Sequence, residues 1–352
     1  MTPALTSRPG HLMAAEIGEQ PAIWRSLLAH GDAAGIDAAA ALIRSRRPRA
    51  VLFVARGTSD HAALYAKYLV EIRHGLPAGL VSPSTMTAYG ARPDLRDVLM
   101  IGVSQSGGSP DLVRSLAVAR EQGALTVAVT NDVSSALARA AHAHVDVLAG
   151  PERSVAATKS YTAQLLALYL LLEKVRDVDG RAAAAPLPDL GDALLERRAE
   201  IVELARRYRF AQRMLTTARG YSYPTAREAA LKLMETSYLA AHAFSGADLL
   251  HGPFAMIDAD RPVIAVASPG AGGRALHPVL DRLAERGADV CLVGDAGAAR
   301  PGNHVVPLPA VHEQLSPILE IMPLQRLAHA MAAARHRDPD APRGLHKITE
   351  TW

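Results

Sequence analysis

The sequence predicts an α/β protein of two tandem domains, each a parallel β-sheet flanked by helices (three-layer α/β/α, flavodoxin-like). Three observations carry this. Apolar runs of strand length alternate with amphipathic runs of helix length. The alternation occurs twice within 352 residues, which is enough chain for two ordinary cores. The second occurrence also repeats the first at a fixed distance. Ala50–Val54, the loop Ala55-Arg56-Gly57-Thr58-Ser59 and a helix from His61 to Glu71 are answered by a strand, Ala218-Arg219-Gly220-Tyr221-Ser222 and a helix from Thr225 to Leu239. Arg56 answers to Arg219, an offset of 163 residues, and the same offset carries Val103 onto Val266. Leu125–Val129 likewise falls on Val290–Val293 within a residue or two. A repeat this long signals a duplicated domain, not a solenoid. Alternating β and α implies parallel sheets with right-handed crossovers.

In chain order, residues 1–34 read as an N-terminal helical segment and 35–177 as the first domain. Residues 178–200 read as a linker, rich in Ala, Pro and Asp from Val178 to Leu190. The second domain occupies 201–337, and 338–352, opening Asp338-Pro339-Asp340-Ala341-Pro342, form an extended tail. Composition narrows the function. Hydrophobic residues make up 49% and charged residues 21%, a globular balance. Aromatics are only 4%, so abundant alanine packs the helices through small side chains. The formal charge of +3 is small, and no basic run with interleaved aromatics marks a nucleic-acid partner. No apolar run reaches membrane-spanning length and no signal-peptide core opens the chain, so a cytoplasmic location is expected. The single cysteine, Cys291, lies in a strand-like run and reads as a buried inert thiol, which leaves no disulfide and no multi-cysteine metal site.

The strongest local signal is the passage from Val98–Val103, an apolar buried strand, into Ser104-Gln105-Ser106-Gly107-Gly108-Ser109. Pro110-Asp111 then opens an amphipathic helix carrying Leu112, Leu116 and Ala119. A strand, a small polar loop and a helix N-terminus aim backbone N–H groups and a positive dipole end at one spot. With serine donors and no Lys or Arg within it, the loop suits a phosphate held by neutral groups. An ordinary βα loop is the other reading. Ligands in such sheets lie beyond the carboxyl ends of the strands, so Gly57-Thr58-Ser59 can converge with the serine loop. The second-domain counterpart, Ser268-Pro269-Gly270-Ala271-Gly272-Gly273, has lost two serines and reads as a degenerate site.

Four further places can carry chemistry. Glu228, Lys232 and Glu235 share one helix face, either as a proton-transfer base beside a lysine or as a surface ion pair. His251 in His251-Gly252-Pro253 can shuttle protons near neutral pH or simply finish a turn. Lys347, in the tail, is solvated unless the tail folds over a site, where its amine could form a Schiff base. Val155-Ala156-Ala157-Thr158-Lys159 offers backbone groups ahead of the apolar helix Tyr161–Val175, unless Ser154 or Thr158 only caps that helix.

Taken in order, seven motifs resemble one family: Gly57-Thr58-Ser59, Ser104-Gln105-Ser106-Gly107, Ala149-Gly150-Pro151-Glu152, Val155–Lys159, Leu231-Lys232-Leu233-Met234-Glu235, His251-Gly252-Pro253 and the closing Lys347. They are similar to the double sugar-isomerase (SIS) module of glucosamine-6-phosphate synthase and to stand-alone SIS-type glucosamine-6-phosphate deaminases. The likeness runs from about His11, with Glu16-Ile17-Gly18-Glu19-Gln20-Pro21, to Trp352. The resemblance implies that Ser104, Gln105, Ser106 and Ser109 hold a sugar phosphate, while Thr58, Ser59 and the Val155 backbone wall the sugar. It implies Glu235 as the C1–C2 proton carrier supported by Lys232, His251 as an aid to ring opening in the other subunit of a homodimer, and Lys347 as the amine that meets the open-chain carbonyl. It further implies conversion of glucosamine 6-phosphate and water to fructose 6-phosphate and ammonia. No metal or redox cofactor is expected, because the carbonyl or imine is itself the electron sink.

Three other functions fit the same motifs. The first is amination in the reverse sense without a glutaminase domain of its own, and the second is deglycation of another 6-phosphorylated amino sugar. The third is a non-catalytic phosphosugar sensor, for which loss of Glu235 or Lys347 would be expected. The chain begins Met1-Thr2-Pro3 and carries no N-terminal cysteine, so it is expected to release no glutamate from glutamine. Gly108, Ala157, Leu250 and His346 depart from the synthase pattern and bear on which sugar is used.

Overall fold

The computed structural model describes residues 8–347. The chain divides into two compact units, one holding residues 20–151 and 159–189, the other residues 8–19, 152–158 and 190–347. Each is built on one five-stranded sheet. Helix α1 (His11–His30) is the first element of the described chain.

In the first unit the strands are β1 (Ala50–Val54), β2 (Ala78–Leu80), β3 (Val98–Ser104), β4 (Leu125–Thr130) and β5 (Ala143–Asp146). They are all parallel, in the order β2-β1-β3-β4-β5. Helices α2 (Ile36–Arg46), α3 (Gly57–Leu69), α4 (Pro83–Thr87), α5 (Pro110–Glu121), α6 (Ala136–Ala140), α7 (Lys159–Val175) and α8 (Gly180–Ala184) accompany them. All six residues of β4 are buried, so its sequence carries Leu, Val, Ala and Thr throughout and no charged residue. Helix α7 is buried over its first fifteen residues, as the continuous apolar stretch Leu165–Leu172 at its centre requires. The face of α5 that carries Leu112, Leu116 and Ala119 packs into the core with Val54, Met100 and Leu137.

The second unit repeats the plan. Its strands are β6 (Arg213–Ala218), β7 (Ala240–Ser245), β8 (Val263–Ala267), β9 (Val290–Gly294) and β10 (His304–Pro307), again all parallel. Their order, β10-β9-β8-β6-β7, is that of the first sheet read from the other edge. Helices α9 (Leu187–Glu196), α10 (Arg198–Tyr208), α11 (Tyr223–Ser237), α12 (Gly246–Leu250), α13 (Ala271–Glu285) and α14 (Ser316–Ala334) accompany them. Both sheets therefore have the doubly wound order whose switch point lies between the first and third strands, the place where such folds bind ligands.

Two local readings of the sequence change. Residues 178–200 are largely helical, forming α8, α9 and the start of α10; Pro188 falls in the first turn of α9, where no N–H is needed. Helix α3 starts at Gly57, four residues before His61, because the positive φ of 54° at Gly57 turns the chain straight out of β1.

The tail has a structural task. The Asp338 carboxylate accepts from Gly10 N at 2.9 Å, and Asp340 accepts from Leu12 N at 2.8 Å and Met13 N at 2.9 Å. The two aspartates thus supply the capping carboxylates that the first turn of α1 lacks in its own sequence. Cys291 is buried in β9, and loss of hydration pushes its thiol up to about 12. Among the described residues no helix is long and apolar enough to cross a membrane.

Candidate active site

At the switch point of the first sheet, two loops leave β1 and β3 side by side. Arg56, just before α3, donates from Nε and Nη2 to the buried Asp111 on α5, both at 2.8 Å. Asp111 also accepts from Leu112 N, so it closes the first turn of α5 and ties the two loops together. The serine loop is preorganised from within. Ser104 Oγ accepts from Gly107 N at 3.0 Å, and Ser106 Oγ accepts from Gly108 N at 3.3 Å. Each hydroxyl oxygen is fixed by a backbone donor, and its own proton remains for an anion. Ser109 stands at the N-cap of α5, yet its hydroxyl makes no capping bond. Gly107 has φ of 60°, and a Cβ there would lie 2.3 Å from Ser135 Oγ, so the loop can close only with glycine.

The neighbouring wall is equally fixed. Ser59 is buried and accepts from Gln164 Nε2 of α7 at 3.0 Å, while Thr58 is half-buried beside it. The Gln105 carbonyl accepts from Asn131 N, and the Asn131 side chain bonds both Ala149 N and Gly150 O. Arg56, Asp111, Asn131 and Gln164 were not singled out from the sequence. Nothing local marks them, since their partners lie 18 to 105 positions away.

In the second unit the Glu228–Lys232–Glu235 face turns inward. Glu228 and Lys232 side chains are 0% exposed, while Glu235 keeps 21%. The Lys232 ammonium donates to Glu235 at 2.5 Å and lies 3.2 Å from Glu228. Burial opposes the charge on Lys232, but the carboxylates of Glu228 and Glu235 outweigh it and hold the lysine pKa above its ordinary value. The surface ion-pair reading is therefore corrected. The arrangement is a buried ammonium that fixes one carboxylate with an accessible edge.

The segment 152–158 belongs to the same unit. The Ser154 and Thr158 hydroxyls are buried and make no hydrogen bond, so neither caps α7. Val155 between them is half-buried. Lys347 does not stand free: its ammonium donates to Ser154 O at 2.5 Å and to Glu152 at 3.2 Å. His251 terminates α12, its backbone N–H donating to Asp248 O, while its side chain is exposed and makes no hydrogen bond or ion pair among the described residues.

The second sheet's switch point is filled by the chain itself. The Glu313 carboxylate accepts from Ala271 N at 2.9 Å and Gly272 N at 2.7 Å, the N–H groups that open α13. Gly270, with φ of 149°, lets it approach; a Cβ there would lie 2.2 Å from Glu313 Cδ. Ser222, the repeat partner of Ser59, donates to the fully buried Glu320, as do Thr225, Ser268 and Ser316, at 2.6–2.9 Å. The loop read as degenerate thus has its donors satisfied by two internal carboxylates.

Burial raises the Glu320 pKa, and the four hydroxyls lower it without cancelling that rise. A carboxyl that holds its proton more tightly when folded contributes most stability below the ordinary glutamate value, about 4.3. That contribution is lost as pH rises from there to the raised folded value. Glu320→Gln has no proton to lose, so its urea midpoint should fall less than the wild-type midpoint across this window. Equal falls would show that Glu320 is not the titrating group.

Two doubly wound sheets in tandem, with a serine and glycine loop at the first switch point, define a class of α/β protein built to hold a small anionic ligand at a strand end. The chain belongs to the SIS domain family, whose profile matches residues 44–174 and 208–335. It is 36% identical over 375 residues to the isomerizing glutamine–fructose-6-phosphate aminotransferase of Gloeobacter violaceus, covering 98% of this chain and 60% of that protein. The chain thus spans little more than half the length of such relatives. Among solved structures, a proposed phosphosugar isomerase of Silicibacter pomeroyi is 36% identical with a TM-score of 0.87, covering 94% of this chain and 99% of the other. The C-terminal domain of glucosamine-fructose-6-phosphate aminotransferase from Francisella tularensis is 26% identical with a TM-score of 0.84, covering 94% and 98%.

Proposed function

We propose that the protein is a phosphosugar isomerase that deaminates glucosamine 6-phosphate to fructose 6-phosphate. The observation that carries this is the buried Lys232, which fixes Glu235 with one edge of its carboxylate exposed. A surface ion pair has no need of such burial; a base that must meet carbon at a set position does. In this reading the Ser104–Ser109 loop takes the phosphate through hydroxyl and backbone N–H donors, and Ser59 and Val155 face the sugar. Glu235 takes the proton from C2 of the open-chain aldose and returns one to C1. The product of that transfer is a 2-imine, which water converts to the ketose with loss of ammonia. The step balances internally: C1 is reduced to the alcohol level as C2 is oxidised to the imine, one proton passes from the amine to O1, and no outside oxidant or reductant is needed. The exposed imidazole of His251 supports its assignment to ring opening in a second copy of a cytoplasmic homodimer. Lys347 would meet the open-chain carbonyl.

The phosphate assignment has a direct test. Ser104→Ala and Ser106→Ala each remove a hydrogen bond to a charged group, worth roughly 1.5–3 kcal/mol. In calorimetry each variant should bind fructose 6-phosphate about tenfold or more weakly than wild type, with the fold intact. Unchanged affinity in both would place the phosphate elsewhere.

A further inference from the structure

We propose that Glu152 and Glu16 are positioning residues for Lys347, forming a latch that seats the C-terminal tail. The inference deepens the functional reading above but rests on contacts of the tail itself. All of these contacts lie within one unit.

The latch is built on the segment 152–158. Glu152 is 6% exposed. One of its oxygens accepts from Thr158 N at 2.9 Å, and the other faces the Lys347 ammonium at 3.2 Å. The carboxylate therefore closes the loop and holds the lysine at once. Glu16, on α1, is 4% exposed and accepts from the backbone N–H groups of Arg153 and Ser154. Those bonds set the peptide plane next to Ser154 O, the second acceptor for Lys347. At the far end Gln325 Nε2 donates to Thr158 O at 3.1 Å, so the loop is anchored from three elements.

The tail upstream of Lys347 is tied down as well. Asp338 and Asp340 cap α1, and Arg343 N donates to Tyr238 Oη at 3.0 Å. Beyond Arg343, residues 344–346 are exposed and Lys347 is the next fixed point. One buried carboxylate and a carbonyl meet the ammonium, and a second buried carboxylate fixes the backbone behind that carbonyl. A tail held only by nonspecific packing would not need them. Glu152 thereby determines where the amine rests, and Glu16 acts through the backbone it orients.

Trypsin cleavage after Arg343 reads the latch without any substrate. The protease must draw residues 344–347 into an extended strand, which the seated Lys347 resists. Glu152→Gln and Glu16→Gln should each speed this cleavage by about tenfold or more, tracking the population of the released tail. Melting temperature is measured alongside, and the variant that melts as wild type carries the test. In a Lys347→Met background, where the tail is already released, Glu152→Gln should add nothing to the cleavage rate; a merely structural Glu152 would add its effect in either background. Cleavage rates equal to wild type in both single variants, or full additivity with Lys347→Met, would overturn the proposal. A failure of the sugar-phosphate reading would leave these rates untouched, so the two can fail separately.

Discussion

Replacing Glu235 by glutamine is expected to lower kcat by about 10²–10⁴-fold, the usual worth of a general base. Affinity for sugar phosphate should stay near wild type, because the serine loop is untouched and the base is used only as the transition state forms. The melting temperature should move little. Glutamine keeps the shape, and its amide oxygen can still accept from Lys232, whose buried charge also faces Glu228. A surface ion pair would give the opposite pattern, with near-normal turnover and a small change in stability. Steady-state kinetics beside calorimetry separates the two outcomes. Wild-type turnover by Glu235→Gln would remove Glu235 from the mechanism.

The largest effect on stability is expected at Lys232. Lys232→Met keeps much of the side-chain volume but removes the ammonium from between two carboxylates. Glu228 is completely buried and would be left with its opposite charge gone. Breaking a buried pair from one side costs about 3–5 kcal/mol, a large part of a domain's net stability. An exposed pair would cost about 1 kcal/mol or less. Urea unfolding should therefore show a clear drop in midpoint with little change in slope. A midpoint within error of wild type would mean that Glu228 protonates or is rehydrated at small cost.

Much of the fold was legible because it rests on patterns local in sequence. Apolar runs and turn residues marked the strands, and the 163-residue repeat showed that the plan occurs twice. The serine loop was legible for the same reason: strand, loop and helix N-terminus are consecutive. What the sequence hid was direction. Glu228, Lys232 and Glu235 share a face at helical spacing whether it meets solvent or core, and only the packing of α11 puts it inside. The resemblance to the sugar-isomerase module points to Glu235 where spacing alone leaves both readings open.

The partners made across long separations were also hidden. Asp338 and Asp340 look like any polar tail until α1 presents an uncapped N-terminus to them, 327–328 residues away. Glu313 and Glu320 carry no motif, yet they fill the second switch point and occupy the donors that the first switch point leaves available. Glu152 lay inside a recognised motif, but its part in holding Lys347 appears only when the tail is seen in place.

The most direct test of the central claim is a single incubation of the purified protein with glucosamine 6-phosphate, assaying ammonia and fructose 6-phosphate together over time. Proton transfer followed by imine hydrolysis predicts that the two products rise in equal amounts. A panel of other 6-phosphorylated amino sugars run in parallel identifies the preferred substrate. Ammonia without ketose phosphate, or neither product from any member of the panel, would contradict the proposed function.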